Sequence, residues 1–230
     1  MNILSNHIKY GALSLALLAV GASNAYATSS FTGSAALTFT YSGDLSGIVV
    51  GYVGSGNVDD GTEVYGDAVL QPNFNFPDQA SGEFSVVGSV NDSEGQNIHS
   101  AQIATFALSF VNHSGQSRSF GLSLDYLLHA VVVGEFANSA VQISFGDYGY
   151  DELTADLFSG QDNISLAGSS GVFNFDLAAN ETGSFSVNVG IVGDLLGTTP
   201  VPLPAAAWSF LVGLLGLLGV NKKRAGVKID

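Results

Sequence analysis

The central part of this sequence predicts an all-β domain, built as an antiparallel β-sandwich or jelly roll. Apolar and polar residues alternate there in rows, the longest being Phe120, Leu122, Leu124, Tyr126 and Leu128. Alternation with a period of two puts one face of a strand against a core and the other in water. Turns rich in Gly, Asn and Asp separate the rows, and no central stretch has the period of an amphipathic helix.

The predicted strands follow one another from residue 37 to residue 191. Their apolar members, in chain order, are Leu37, Phe39 and Tyr41; Phe106, Leu108 and Phe110; the row from Phe120 to Leu128; Val141, Ile143 and Phe145; Phe173 and Phe175; and Phe185, Val187, Val189 and Ile191. The turn signals are Ser42-Gly43-Asp44, Asp59-Asp60-Gly61, Asn91 to Gly95, Asn112-His113-Ser114-Gly115 and Asn180 to Gly183. This succession predicts one β-domain over residues 28–193, followed by a short linker over residues 194–200.

Cysteine is absent from the 230 residues, which excludes disulfides, thiolate metal sites and a cysteine nucleophile. Nineteen of the twenty acidic residues lie between Thr28 and Pro200, where Arg118 is the single basic residue, so this stretch has a net charge of −18. Such a charge repels phosphate backbones and argues against nucleic acid as a partner. It keeps an exported protein soluble, and it also attracts divalent cations.

Residues 1–27 are predicted to form a secretory signal peptide. Lys9 supplies a positive charge, and Gly11 to Ala22 form an apolar run that is too short to span a bilayer comfortably. Ala25 and Ala27 place small side chains where signal peptidase reads the chain. We therefore expect signal peptidase to cleave after Ala27, in preference to an uncleaved N-terminal anchor.

The C-terminal segment has three parts in a fixed order. A short proline motif comes first, formed by Val201, Pro202, Leu203, Pro204 and Ala205. An apolar stretch follows over residues 206–220, and a basic cluster of Lys222, Lys223 and Arg224 ends it. The 20 residues 201–220 would span about 30 Å as a helix, enough to cross the hydrocarbon core. The cationic cluster would hold its end in the cytoplasm, together with the tail at residues 225–230.

This arrangement resembles the PEP-CTERM sorting domain in its VPLPA variant, over residues 201–224. The resemblance rests on the Val-Pro-Leu-Pro-Ala motif, the glycine-punctuated apolar helix and the basic stop. It implies recognition by an exosortase, a membrane protease-like enzyme thought to process the chain near the Pro-x-Pro motif. It also implies a Gram-negative bacterium that makes exopolysaccharide and biofilm. An ordinary anchor that is never processed is the alternative.

Two features depart from the main form of that family. Leu203 stands where the main form has glutamate, which implies a variant-specific enzyme or looser recognition. Residues 225–230 also continue beyond the basic cluster.

Calcium is the ligand that the acidic turns indicate. Asp59 and Asp60 lie in one turn, and Asp147 and Asp151 lie in another. Hard cations bind clusters of carboxylate oxygens, but the spacing in neither turn matches an EF-hand. Solvated polar turns explain the same residues and are the preferred interpretation, so no cofactor is expected to be obligatory.

Catalytic motifs do not stand out in this sequence. His99, His113 and His129 show no zinc-ligand spacing, and there is no Gly-x-Ser-x-Gly turn. We therefore expect no enzymatic activity. Tyr148 and Tyr150, flanked by acids, could form a platform for stacking sugars, although core packing is the default for the aromatic residues.

The sequence as a whole predicts an exported protein that is sorted to the cell surface or the extracellular matrix. A structural or adhesive role in biofilm is expected, with exopolysaccharide as a candidate partner beside the exosortase and signal peptidase. A carbohydrate-binding module is the first alternative. A polysaccharide-active hydrolase is the second, because nineteen acids leave a catalytic carboxylate pair open.

Overall fold

The computed structural model describes residues 28–58, 61–91, 95–134, 136–146 and 149–197. The chain divides into two compact units, Met1–Thr198 and Thr199–Asp230, and all the described residues belong to the first. The strands are β1 (Thr28–Gly43), β2 (Ile48–Val58), β3 (Glu63–Tyr65), β4 (Val69–Asn75), β5 (Ser81–Asn91), β6 (Asn97–Asn112), β7 (Arg118–Val133), β8 (Ala137–Phe145), β9 (Gly149–Asp156), β10 (Asn163–Leu177) and β11 (Thr182–Leu196).

The strands form two antiparallel sheets in a sandwich-like fold, which confirms the predicted all-β antiparallel class. Sheet A has the order β10-β7-β1-β5-β4, and sheet B has the order β2-β6-β11-β8-β9. The short strand β3 pairs with β6 beside β2. No helix in the described part of the chain is long and apolar enough to cross a membrane.

The core lies between the inner faces of the two sheets, where the alternating rows of the sequence converge. Strand β8 alternates buried and half-buried residues along all nine of its positions, and β6 and β11 behave similarly over most of their length. The largest fully buried side chains are Phe31, Phe84, Phe106, Phe110, Leu37, Ile98, Leu108, Leu122, Leu124, Leu128, Ile143 and Ile191. The period-two rows thus position the inner faces as predicted.

Close packing around Phe31 depends on two glycines. Phe31 is opposite Gly88 on the neighbouring strand β5, and its ring also contacts Gly193 on the facing sheet. A Cβ atom would lie 2.2 Å from the ring at Gly88 and 2.3 Å from it at Gly193. Both distances are far inside van der Waals contact, so only glycine fits against this ring.

The last strand extends further than the sequence indicated. Strand β11 ends at Leu196, three residues into the segment 194–200 that was expected to be a linker. Leu195 is buried, and Asp194 to Leu196 pair with the first three residues of β6. Burial and cross-strand pairing keep these residues in the sheet, so only residues after Leu196 remain candidates for the linker.

A buried amide closes one end of the sandwich. Asn112, the last residue of β6, is fully buried, and its Nδ2 faces the carbonyl oxygens of Gln116, Leu177 and Ala178 at 2.6, 3.0 and 3.0 Å. Its Oδ1 accepts hydrogen bonds from the backbone N–H and the hydroxyl of Ser114 at 2.9 and 2.7 Å. One side chain thereby ties the β6–β7 turn to the end of β10, and we call it the Asn112 latch.

Candidate functional site

Most of the residues predicted to direct sorting and ion binding lie outside the described residues. They are Ala25 and Ala27 of the signal peptide, Val201, Pro202, Leu203, Pro204 and Ala205 of the sorting motif, Lys222, Lys223 and Arg224 of the basic cluster, and Asp59, Asp60 and Asp147 of the acidic turns. Their roles stay predictions. Of the named site residues, Asp151 is the one whose surroundings the structure describes.

Asp151 faces the space between the sheets and not the solvent side of β9. Its carboxylate accepts a hydrogen bond from the hydroxyl of Tyr126 on β7, which crosses from sheet A to sheet B. Burial and then this hydrogen bond raise the pKa of Tyr126 to about 12. Within the described residues, no group of three or more His, Asp or Glu side chains is placed to hold a metal ion. Calcium binding therefore stays a prediction.

A histidine flanked by carboxylates lies on the outer face of sheet B. His99 is paired with Glu63 on one side and with Asp194 on the other, and its Nδ1 contacts the carboxylate of Asp194. Tyr65 donates its hydroxyl hydrogen to Glu63 at 2.9 Å. The sequence could not reveal this contact, because His99 and Asp194 are 95 residues apart. The arrangement orients one imidazole beside a carboxylate.

A broad groove of about 510 Å³ lies on the outer face of sheet A. Its floor includes a polar row that crosses all five strands, with one residue from each: Ser165, His129, Ser34, Ser85 and Asn73. Ser34 and Ala36 on the central strand β1 have small side chains, so space remains between the larger side chains of the neighbouring strands β7 and β5. The volume is in the range of cavities that bind small organic ligands. We call this feature the sheet A groove.

The walls of the sheet A groove combine polar and apolar groups. Leu127 and Glu83 flank the exposed Ala36, and Leu127 is about half exposed. His129 Nε2 lies 3.0 Å from the Oδ1 of Asn163, which holds the imidazole in place. Glu83 is the one carboxylate among the described residues that line the groove. An apolar wall with a few convergent polar groups is the usual lining of a small-molecule site.

A smaller depression of about 190 Å³ lies on the outer face of sheet B, above Gly190. Tyr150, 55% exposed, stands beside it, with Gln142 and Asn188 along its rim. The Tyr150 hydroxyl donates to Glu152, and this bond raises the Tyr150 pKa. Sugar stacking by Tyr150 stays a prediction, and Tyr148 lies outside the described residues.

The chain was compared with protein-family models, with curated proteins and with solved structures, and none of the three comparisons found a match.

Proposed function

We propose that this chain is exported through its signal peptide, sorted by an exosortase-type enzyme, and displayed at the cell surface or in the extracellular matrix. Its role there is structural or adhesive. The order of proline motif, apolar segment and basic cluster after residue 200 supports the sorting step. The acidic, cysteine-free β-domain suits a matrix protein because its charge keeps it dispersed and its fold needs no oxidising step.

The sheet A groove carries the adhesive part of this proposal. Its polar row presents hydroxyl, amide and imidazole groups from five strands in one surface, and Leu127 supplies an apolar wall. A rigid sheet positions such groups better than loops do. We infer that the groove binds a neutral exopolysaccharide, because a net charge of −18 over residues 28–200 disfavours acidic chains. This is the carbohydrate-binding alternative in structural terms.

The sorting step is tested by mass spectrometry of the mature protein from its native host. We expect termini at Thr28 and near Pro204. Replacing Pro202 and Pro204 together by alanine should leave an unprocessed chain in the inner membrane. Thr198→Ala with Thr199→Ala is the matched control in the preceding segment. A wild-type chain that ends at Asp230 in the inner membrane would overturn the sorting step.

Glycan binding is tested by filling the groove. Ala36→Trp places a large ring on the exposed floor, and Thr40→Trp places the same ring on the same face of β1 away from the groove. We expect Ala36→Trp to lose binding on an array of neutral polysaccharides at least tenfold, and Thr40→Trp to keep it. Equal binding by both variants would remove the groove from the proposal.

The same array separates binding from hydrolysis. A glycoside hydrolase uses two carboxylates on opposite sides of the bond, and for hydrolysis in the sheet A groove Glu83 would be one of them. Release of reducing sugar by the wild type, abolished in Glu83→Gln, would favour the hydrolase alternative. Binding without release would favour the carbohydrate-binding module.

A further inference from the structure

Two phenylalanines project into solvent at the end of the sandwich where β11 ends. Phe158 is 79% exposed and Phe136 is 46% exposed, and their rings contact each other with centroids 5.8 Å apart. Leu196, the last residue of β11, is half exposed, and its N–H bonds to the carbonyl oxygen of Phe136 at 3.2 Å. We call Phe136, Phe158 and Leu196 the terminal apolar patch.

The loop that carries Phe158 is held in place by its own hydrogen bonds. Asp156 and Gln161 exchange two backbone hydrogen bonds of 2.9 and 3.2 Å across its base. The Phe158 N–H donates to the Asp156 carboxylate at 2.8 Å, and the Ser159 hydroxyl donates to the Asp156 carbonyl at 2.9 Å. Leu157 packs against the core, so its neighbour Phe158 points outward from a fixed tip.

Phe136 has an unusual backbone conformation for an aromatic residue. Its φ angle is 54°, in the left-handed region, where a bulky side chain is strained. A strained backbone conformation persists only where the surrounding structure holds it. Such residues cluster at active sites, ligand-binding sites and switch regions. The strained conformation here accompanies a side chain that remains in solvent and does not enter the core.

The chain leaves the domain beside this patch. Gly197, the last described residue, donates its N–H to the carbonyl oxygen of Gln96 at 2.8 Å, which fixes the exit point. Three residues then separate Gly197 from Val201, where the proposed membrane span begins. Four residue steps reach about 14 Å at most, so a membrane entered at Val201 would lie close to the exit point.

We propose that the terminal apolar patch inserts into the interface of the lipid bilayer on the exported side of the membrane. This contact rests on the proposed membrane span of residues 201–220. Aromatic and aliphatic side chains at the end of a rigid loop bury their apolar surface at the headgroup boundary, as interfacial anchors do. The neighbouring acids Asp156, Asp162 and Asp194 disfavour anionic lipids, so the contact is with zwitterionic headgroups.

The contact can be measured on the full chain in phosphatidylcholine vesicles. Trp208 is the only tryptophan, so Trp208→Phe combined with Phe158→Trp moves the single fluorophore to the patch. Lipids brominated near the headgroup end of the acyl chain should remove about half of its emission, and lipids brominated near the terminal methyl should remove less. Val49→Trp in the same background is the control, because Val49 is 56% exposed near the opposite end of the sandwich.

The wild-type chain reports on the span independently through Trp208. If Trp208 is quenched but the tryptophan of Phe158→Trp is not, the patch does not contact lipid and the span stands. If neither is quenched, the span and the contact are both wrong. If Phe158→Trp remains unquenched while Phe158→Ser blocks C-terminal processing in the host, the patch binds the sorting enzyme and the lipid contact is overturned.

Discussion

The two ends of the sandwich meet solvent in different ways. Strand β6 connects them, since Asn112 is its last residue and its first residue, Asn97, pairs with Leu196. The Asn112 end is closed by a buried amide with five hydrogen-bond contacts, whereas the Leu196 end exposes two phenylalanines. Polar groups that are buried must find partners, but exposed apolar groups need none for stability. The Asn112 end therefore contributes to the stability of the fold, and the Leu196 end is available for an interaction.

Removing the Asn112 latch should produce the largest loss of stability. Asn112→Ala removes the side-chain partner of backbone groups at Ser114, Leu177 and Ala178, and the bond to the Leu177 carbonyl is buried, so we expect a loss of about 2–4 kcal/mol. Urea unfolding of the full chain in detergent, followed by near-UV circular dichroism, measures it. The exposed Asn174→Ala on β10 is the control, with an expected change below about 0.5 kcal/mol. Equal losses in both variants would show that the latch has no special role.

Phe158→Ser is the matching change at the other end. Because Phe158 is 79% exposed, its replacement should change the free energy of unfolding by less than about 0.5 kcal/mol. The same urea titration measures it. A loss comparable to that of Asn112→Ala would mean that the terminal apolar patch is part of the core, and the contrast between the ends would fail.

Gly193→Ala tests whether the core near the Leu196 end is tightly packed. Its methyl group would overlap the Phe31 ring, and we expect a loss of about 1–3 kcal/mol. At Gly190, on the same strand, a Cβ would meet only the flexible side chain of Gln142 at 2.9 Å. Gly190→Ala should therefore be nearly neutral in the same titration. If Gly193→Ala were equally mild, the exposed end would be loosely packed.

Tyr126→Phe probes the bond between the sheets, midway between the two ends. At neutral pH the loss should be about 1 kcal/mol, the net value of one hydrogen bond. The folded-state pKa of Tyr126 is raised to about 12 from an ordinary value of 10.0, so its contribution is complete below pH 10 and is lost as pH rises toward 12. Tyr126→Phe should reduce the alkaline loss of stability in a pH titration of unfolding. Tyr52→Phe is the control, because its hydroxyl bonds to the Pro77 carbonyl at the surface.

The smallest effect concerns acid pH at the Asn112 end. Hydrogen bonds from Ser46 and then the charge of Arg118 hold the pKa of Asp44 below its usual 3.8. A lowered folded-state pKa stabilises the fold above pH 4, and this stability is lost as pH falls further. Asp44→Asn should slightly flatten the acid limb of the unfolding profile. Asp125→Asn, at an exposed position on β7, is the control.

The rows in the sequence predicted parts of β1, β6, β7, β8, β10 and β11, but they included no part of β2, β3, β4, β5 or β9. The rows on β6, β7, β8 and β11 lie on inner faces as expected. Strand β2 was not predicted, because Gly54 and Gly56 occupy positions at which aromatic rings from the β4 region fill the space. Glycine adds no apolar residue to an alternating row, so a strand whose inner positions are glycines does not show the pattern in the sequence.

The candidate sites were less predictable because they are built from residues far apart in the chain. The turn at Asn112 was expected, but the partners of its amide lie up to 66 residues away. The five residues of the sheet A groove row come from five strands, and each alone is an ordinary surface residue. Phe136 and Phe158 belong to no alternating row, so their exposure follows only from the loops that hold them.

Strands β1 and β11, the first and last of the fold, each lie in the middle of a sheet. Strand β1 lies between β7 and β5, and β11 lies between β6 and β8. Sheet B is complete only when β11, the last of the described strands, has paired with β6 and β8, which precede it in the chain. Pairing at such long sequence separation is slow. The pairing of β11 with β6 and β8 is therefore expected to form late in folding.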